Sequence, residues 1–171
     1  TVVESLNLLP LVVERTMWWP DGDWQEAHNT MGVTTTAHRW AVADGESGGT
    51  TGMRTFLLVS NASDRPGDVR VTVRLEDGAS AELTLPSAGS TRLSLDVGVV
   101  FPWLGDVRPR RWWALVEALG PDPVDLVVER ATYNDAVIDG QRVPWAAGAN
   151  AFGTPLRTEP RAEATPAVAL A

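Results

Sequence analysis

Asp68-Val69-Arg70-Val71-Thr72-Val73-Arg74-Leu75-Glu76 is the stretch from which the fold class follows. Its odd positions are apolar and its even positions polar. Side chains of an extended strand alternate between two faces, so this segment reads as a strand with one face on a core and the other in water. Asp77-Gly78 comes next, a pair suited to the positive φ values of a tight hairpin. Ala81, Leu83 and Leu85 then alternate with Ser80, Glu82 and Thr84 as the return strand. After Ser87-Ala88-Gly89, the run Thr91–Val97 alternates again. The three segments read as an antiparallel meander.

Working outward, Thr55–Val59, Trp112–Val116 and Leu126–Val128 are apolar on both faces. Such runs suit central strands, or strands covered on their second side. Trp40-Ala41-Val42-Ala43 reads as a further strand. No apolar stripe at helical spacing is long enough to specify a helix. Short strands with turn signals every 8–12 residues or so indicate an all-β protein, an immunoglobulin-like antiparallel sandwich of about seven to nine strands.

The composition agrees with a packed domain. Of 171 residues, 44% are hydrophobic and 21% charged, close to the globular average. No apolar run approaches the roughly 20 residues of a membrane helix, so no membrane insertion is expected. No basic segment leads into an apolar stretch at the start, so no signal peptide is read there, and without an initiator Met the chain reads as processed or excised, its targeting signals removed with the missing part. The net charge of -8 opposes nucleic-acid binding, which needs clustered positive charge. Every basic residue is Arg. With no cysteine, disulfides and thiolate chemistry are excluded. Only His28 and His38 carry imidazoles.

Self-comparison gives the most informative feature. Val12-Val13-Glu14-Arg15 returns as Val127-Val128-Glu129-Arg130. Each is preceded by a similar segment, Val3-Glu4-Ser5-Leu6 and Val116-Glu117-Ala118-Leu119. Each is followed by an aromatic (Trp18, Tyr133), an Asp-Gly turn (Asp21-Gly22, Asp139-Gly140) and a related tail. The tails are residues 24–32 and 145–153. The separation is near the ~100 residues of an immunoglobulin-like unit. The expected organisation is a sandwich domain over 1–156. Within it, residues 2–19 form a strand pair from a preceding repeat, homologous to a 114–133 hairpin. Residues 37–135 form a full unit and 136–156 the connection to the next. Residues 157–171, rich in Ala, Pro and charge, read as a linker or disordered tail.

At these residues the chain resembles a repeat domain of large secreted or surface-attached bacterial proteins of unknown function. The motifs that carry the likeness are Val12–Trp19, Ala27–Val33, Trp40–Gly45 and Thr55–Asn61, in order, over most of residues 2–156. Asp44 departs from the Glu of that pattern. In the second copy, Ala149 stands for His and Thr132 for Met. The resemblance implies an extracellular, often tandem β-sandwich with no catalytic residues to carry over.

Eight tryptophans invite a second reading. Indole faces can stack on sugar rings, though Trp more often fills the gap between sheets while its N–H finds a carbonyl. In a strand, Trp18 and Trp19 must point to opposite faces, as must Trp112 and Trp113. Trp19 and Trp24, beside the Asp21-Gly22 turn, are the candidate sugar platform, with His28 and Asn29 as polar neighbours. Ala149 opposite His28, with Asn150 and Gly153 kept, points to loop shape as the shared requirement.

Glu14-Arg15 and Glu129-Arg130 interrupt apolar strands. One member of each pair should face inward, where a charge must be paired, so structural ion pairs are expected, including pairs between the two copies. A glycosidase would need a second carboxylate about 5–10 Å away, for which Glu4 and Glu117 are the only suggestions. Asp21-Gly22-Asp23 lacks the further ligands of a calcium loop and reads as a turn. Gly45–Gly52 lies between strands, not before a helix, and reads as a mobile surface loop. No metal site or cofactor is expected. The function expected is a non-catalytic structural or adhesion module, extracellular or on the cell surface. Its partners would be neighbouring repeats, with glycan or cell-envelope components as further candidates. The alternative is a carbohydrate-binding module; a glycoside-hydrolase-type enzyme is the outsider.

Overall fold

The computed structural model describes residues 1–19, 26–50, 52–104 and 110–156. The expected tail over 157–171 lies outside them. The fold is all-β, with two antiparallel sheets closing on one core.

The deciding stretch forms β5 (Gly67–Leu75), whose Val69, Val71 and Val73 are at most 1% exposed. β5 pairs with β6 (Ser80–Ser87), Val71 opposite Leu83. The turn between them has Gly78 at φ +87°, and the Asp77 carboxylate accepts the Ala79 N–H at 2.9 Å. On its other side β5 pairs with β8 (Arg110–Ala118), then comes β3 (Arg39–Ser47), and the short β11 (Thr154–Pro155) completes a five-stranded sheet. The facing sheet has four strands in the order β10 (Gln141–Phe152), β9 (Leu126–Ile138), β4 (Arg54–Asn61) and β7 (Arg92–Asp96). Leu57, Val59, Leu126 and Val128 from it meet Trp40, Val42, Val71, Trp112 and Val116 from the other sheet in a common core.

Trp40 spans that core at 1% exposure. Its indole N–H donates to the carbonyls of Leu126 at 2.9 Å and Ala37 at 3.1 Å, so the ring is buried with its polar handle satisfied. Trp112 is likewise buried, donating to Ser47 Oγ at 3.2 Å. Gly45 makes room for it: a Cβ there would lie 2.4 Å from the Trp112 ring. Just before Gly45, β3 bulges at Ala43-Asp44, with Asp44 at φ +61°.

Several sequence expectations change. Eleven strands are present among the described residues, nine of them in the two sheets. β7 does not continue a meander, since it pairs with β4 across the sandwich, Leu57 opposite Leu95. The turn before it is tied to the β4–β5 connection. Asn61 donates to the Ala88 carbonyl at 3.2 Å, Ser90 N–H donates to Ser63 O at 2.7 Å, and Gly89 packs on the Asp64 backbone. Alternation alone is the same whichever sheet receives the strand. Residues 114–133 are not a hairpin either, because β8 and β9 lie in different sheets. Residues 136–156 are not a connection: they supply the end of β9, all of β10 and all of β11. The described residues of the Gly45–Gly52 segment do not form an open loop. The first of them extend β3, and Gly48 and Met53 exchange backbone bonds at 2.8 and 2.9 Å.

The N-terminal pairing also differs. Residues 1–13 form no strand, and β1 (Glu14–Trp19) pairs with β2 (Glu26–Met31). Pro10 lacks an amide donor and Leu8 sits at φ 60°, both adverse to a strand there. The β1–β2 hairpin is a separate two-stranded element on the outer face of the four-stranded sheet. There Trp19 forms a second small core with Ala131 and Tyr133, flanked by Phe56 and Leu58. This layer explains why β4 is apolar on both faces.

Candidate interaction site between the two hairpins

The sequence repeat corresponds to two hairpins with the same register. In β1–β2, Glu14 lies opposite Met31 and Arg15 opposite Thr30; in β9–β10, Glu129 lies opposite Phe152 and Arg130 opposite Ala151. Past the last pair, Gly32 N–H donates to Val13 O at 2.7 Å and Gly153 N–H to Val128 O at 2.9 Å. Asn29 donates its amide to Glu14, and Asn150 donates to Glu129 at 2.6 Å. The same residues make the same bonds in both.

Alternation divides β1–β2 into two faces. Arg15, Trp19, His28 and Thr30 turn toward the sheet and are wholly or partly buried. Glu14, Thr16, Trp18, Ala27, Asn29 and Met31 turn to solvent. Arg15 Nη2 reaches Glu129 Oε1 at 2.5 Å, so an arginine from one hairpin meets the carboxylate of the other. Glu129 is 6% exposed and is held by both Arg15 and Asn150. A buried carboxylate needs such compensation, because desolvating it alone costs several kcal/mol.

Around this pair the aromatic rings interlock. Trp19 meets Tyr133 edge-on at 5.2 Å and tilts against His28 at 5.0 Å between centroids. His28 Nε2 lies 3.3 Å from the Tyr133 hydroxyl, and Phe56 meets Tyr133 edge-on at 6.0 Å. Gly148 permits the approach, since a Cβ there would lie 2.8 Å from both the Trp19 and Tyr133 rings. Burial, reinforced by the Arg15 charge, holds the His28 imidazole below its usual pKa. Burial likewise raises the Tyr133 phenol above its ordinary value. Both groups are therefore neutral near pH 7.

The sequence candidates separate accordingly. Trp19 is 6% exposed and wedged between His28 and Tyr133, so it presents no open sugar platform. Trp24 and the Asp21-Gly22-Asp23 turn lie outside the described residues. His28 and Asn29 point to opposite faces because they are adjacent in a strand. Glu14 is exposed and bonds Asn29, rather than facing inward to an arginine. Arg130 turns into the sandwich edge, donating to the Ala43 carbonyl at 3.2 Å and to the Asp44 carbonyl at the β3 bulge; the Asp44 carboxylate is 3.3 Å away. Glu117 is bridged by Arg39 at 2.9 Å and Arg70 at 2.8 Å, a cross-strand cluster on the five-stranded sheet. His38 lies 3.5 Å from Asp125.

Tyr133, Asn150 and Phe56 belong to the cluster in addition to the site residues that the sequence singles out. Asn150 was signalled by its repeat partner Asn29, and Phe56 by the two-faced apolar run. Trp113 is a further exposed aromatic. It is 45% exposed, lies under Arg74 at 5.7 Å, and borders an open depression with Asp44, Glu76 and Arg111. No group of three His, Asp or Glu side chains suited to a metal occurs among the described residues.

No protein-family model matches the chain, and no curated protein matches it. A solved structure, the crystal structure of Thermotoga maritima 1070, is similar in fold with a TM-score of 0.52 and 16% identity. The likeness covers 72% of this chain and 97% of that one. At that identity it concerns the fold alone.

Proposed function

We propose that the chain is a non-catalytic structural or adhesion module of a secreted or cell-surface bacterial protein. In this reading it is an immunoglobulin-like sandwich, and its partners are neighbouring units of the same polypeptide. The observation that carries the proposal is the pair of equivalent hairpins joined through Arg15 and Glu129. The repeated Glu and Arg side chains are used for bonds between elements. The Asn-Gly tails close both hairpins in the same way. Paired charge in this arrangement is architecture: it fixes how one strand pair sits on the next.

A second reading rests on Trp113. An indole with an exposed face, flanked by Asp44, Glu76 and Arg111, is the type of surface on which a sugar ring stacks while its hydroxyls find charged acceptors and donors. Glycan-array screening with tryptophan-fluorescence titration separates the two. The structural reading expects silence across a broad array. Saturable quenching that disappears in Trp113→Ala would replace it with carbohydrate binding.

A further inference from the structure

Laid on each other by register, the two hairpins put Glu14 on Glu129, Thr16 on Ala131, Trp18 on Tyr133, Asn29 on Asn150 and Met31 on Phe152. On β9–β10 these positions make the face that the β1–β2 hairpin covers, with Glu129 and Tyr133 each 6% exposed and Ala131 3%. On β1–β2 the same positions lie in solvent: Trp18 and Met31 are each 60% exposed, and Glu14 and Asn29 are exposed beside them. Val12, two residues before Glu14, is 83% exposed. Trp18 stands at one end of this face and Met31, opposite Glu14, at the other, with Thr16 and Asn29 between the two. Large exposed apolar side chains set among polar groups mark a contact surface. The polar half of the seat is also assembled, since Asn29 holds the Glu14 carboxylate as Asn150 holds that of Glu129. An amide orients a carboxylate but leaves its charge. In the covered hairpin the charge is met by Arg15, as a charge-assisted bond from a guanidinium requires.

We propose that the Glu14–Trp18–Asn29–Met31 face is a docking site for a further β-hairpin of this same pattern. The incoming hairpin presents an arginine to Glu14 and a tryptophan beside Trp18, as Arg15 and Trp19 do for Glu129 and Tyr133. This rests on the repeat reading above and names the partner of its outer face. An intact second copy of the chain does not meet the requirement with either repeated arginine, because its Arg15 holds Glu129 and its Arg130 holds the carbonyls of Ala43 and Asp44. The occupant is therefore a hairpin from another unit whose arginine face is open. Stacking then runs head to tail, each hairpin giving one face and receiving on the other.

The test uses the whole chain and a peptide with the sequence of residues 12–33, closed by a disulfide between cysteines added at its ends, because an open two-strand hairpin is only marginally stable. The peptide is titrated into the isotope-labelled protein and amide shifts are followed. The expected result is saturable shifts at Glu14, Trp18, Asn29 and Met31. The dissociation constant should rise about tenfold or more with Arg15→Ala in the peptide, and with Trp18→Ala or Glu14→Gln in the protein. Glu14→Gln keeps an acceptor for Asn29 and removes only the charge. Silence at millimolar peptide overturns the proposal. So do shifts centred on Glu129 and Asn150, which would mean displacement of the resident hairpin, and so does an affinity indifferent to Glu14→Gln. The coupling between Arg15 and Glu129 is measured separately; if it persists while the peptide is silent, the repeat reading survives and only the docking site falls.

Discussion

Arg15 and Arg130 occupy the same register position in two equivalent hairpins yet terminate on opposite sides of one sheet. Arg15 descends on the outer face to the Glu129 carboxylate, while Arg130 enters the sandwich edge to the Ala43 and Asp44 carbonyls. The same side chain thus fastens one hairpin as an added layer and the other as part of the main body.

The outer fastening predicts a specific imbalance. Arg15→Ala leaves Glu129 buried with Asn150 as its remaining bond, and is expected to lower stability by about 1–3 kcal/mol, the lower end being favoured because Arg15 is itself partly exposed. Adding Glu129→Gln should recover part of the loss, since no charge then remains buried. A double-mutant cycle in urea measures the coupling, and strictly additive single effects would refute it.

Gly148 separates hairpin docking from sandwich stability. Gly148→Val places side-chain atoms where the Trp19 and Tyr133 rings lie, within 2.8 Å. Amide exchange should accelerate across β1 and β2 and stay slow at Val71, Val116 and Val128. Uniform acceleration would show that the hairpin and the main core open as one unit.

The opposite pattern is expected at Gly45. Gly45→Ala collides with the Trp112 ring at 2.4 Å and should destabilise the main sandwich by about 1–3 kcal/mol, the usual cost of overpacking a filled core. Thermal melting checks the size of the effect, and near-native stability would mean that Trp112 can move aside.

The alternation of Val69, Val71, Val73 and Leu75 determines which side chains are buried, so β5, its turn and β6 were legible residue by residue. Whether the next strand stays in that sheet depends on Asn61, Ser63 and Gly89 binding a turn distant in sequence, and periodicity carries no trace of that. The Glu-Arg pairs were legible as requiring partners. That Arg15 would choose Glu129, while Glu14 stayed in solvent, depends on which face of β1 docks, and both faces carry large apolar groups. The repeat pairs Asn150 with Asn29 and Tyr133 with Trp18, but it carries no trace of which aromatic is covered, and Tyr133 is buried while Trp18 is exposed.

Protonation should loosen the hairpin. The imidazole of His28 titrates below its usual value in the folded chain, so between that lowered pKa and about 6.5 the unfolded chain binds more protons. Stability therefore falls as pH drops through this window and is unaffected by His28 above it. Exchange at β1–β2 amides is expected to quicken from pH 7.5 to 5.5 after correction for intrinsic rates. His28→Gln should flatten that difference, and an unchanged slope in the variant would assign the effect to other groups.

The strand order has a consequence for how such molecules meet. β6 lies at the free border of the five-stranded sheet, where unpaired backbone groups invite a strand from another molecule and, eventually, fibrillar aggregation. Pro86 has no amide hydrogen to offer there, and exposed Glu82 puts a charge in the path of an incoming strand. Edgewise growth is discouraged along that margin, so lateral crowding at high local concentration need not knit neighbouring chains together.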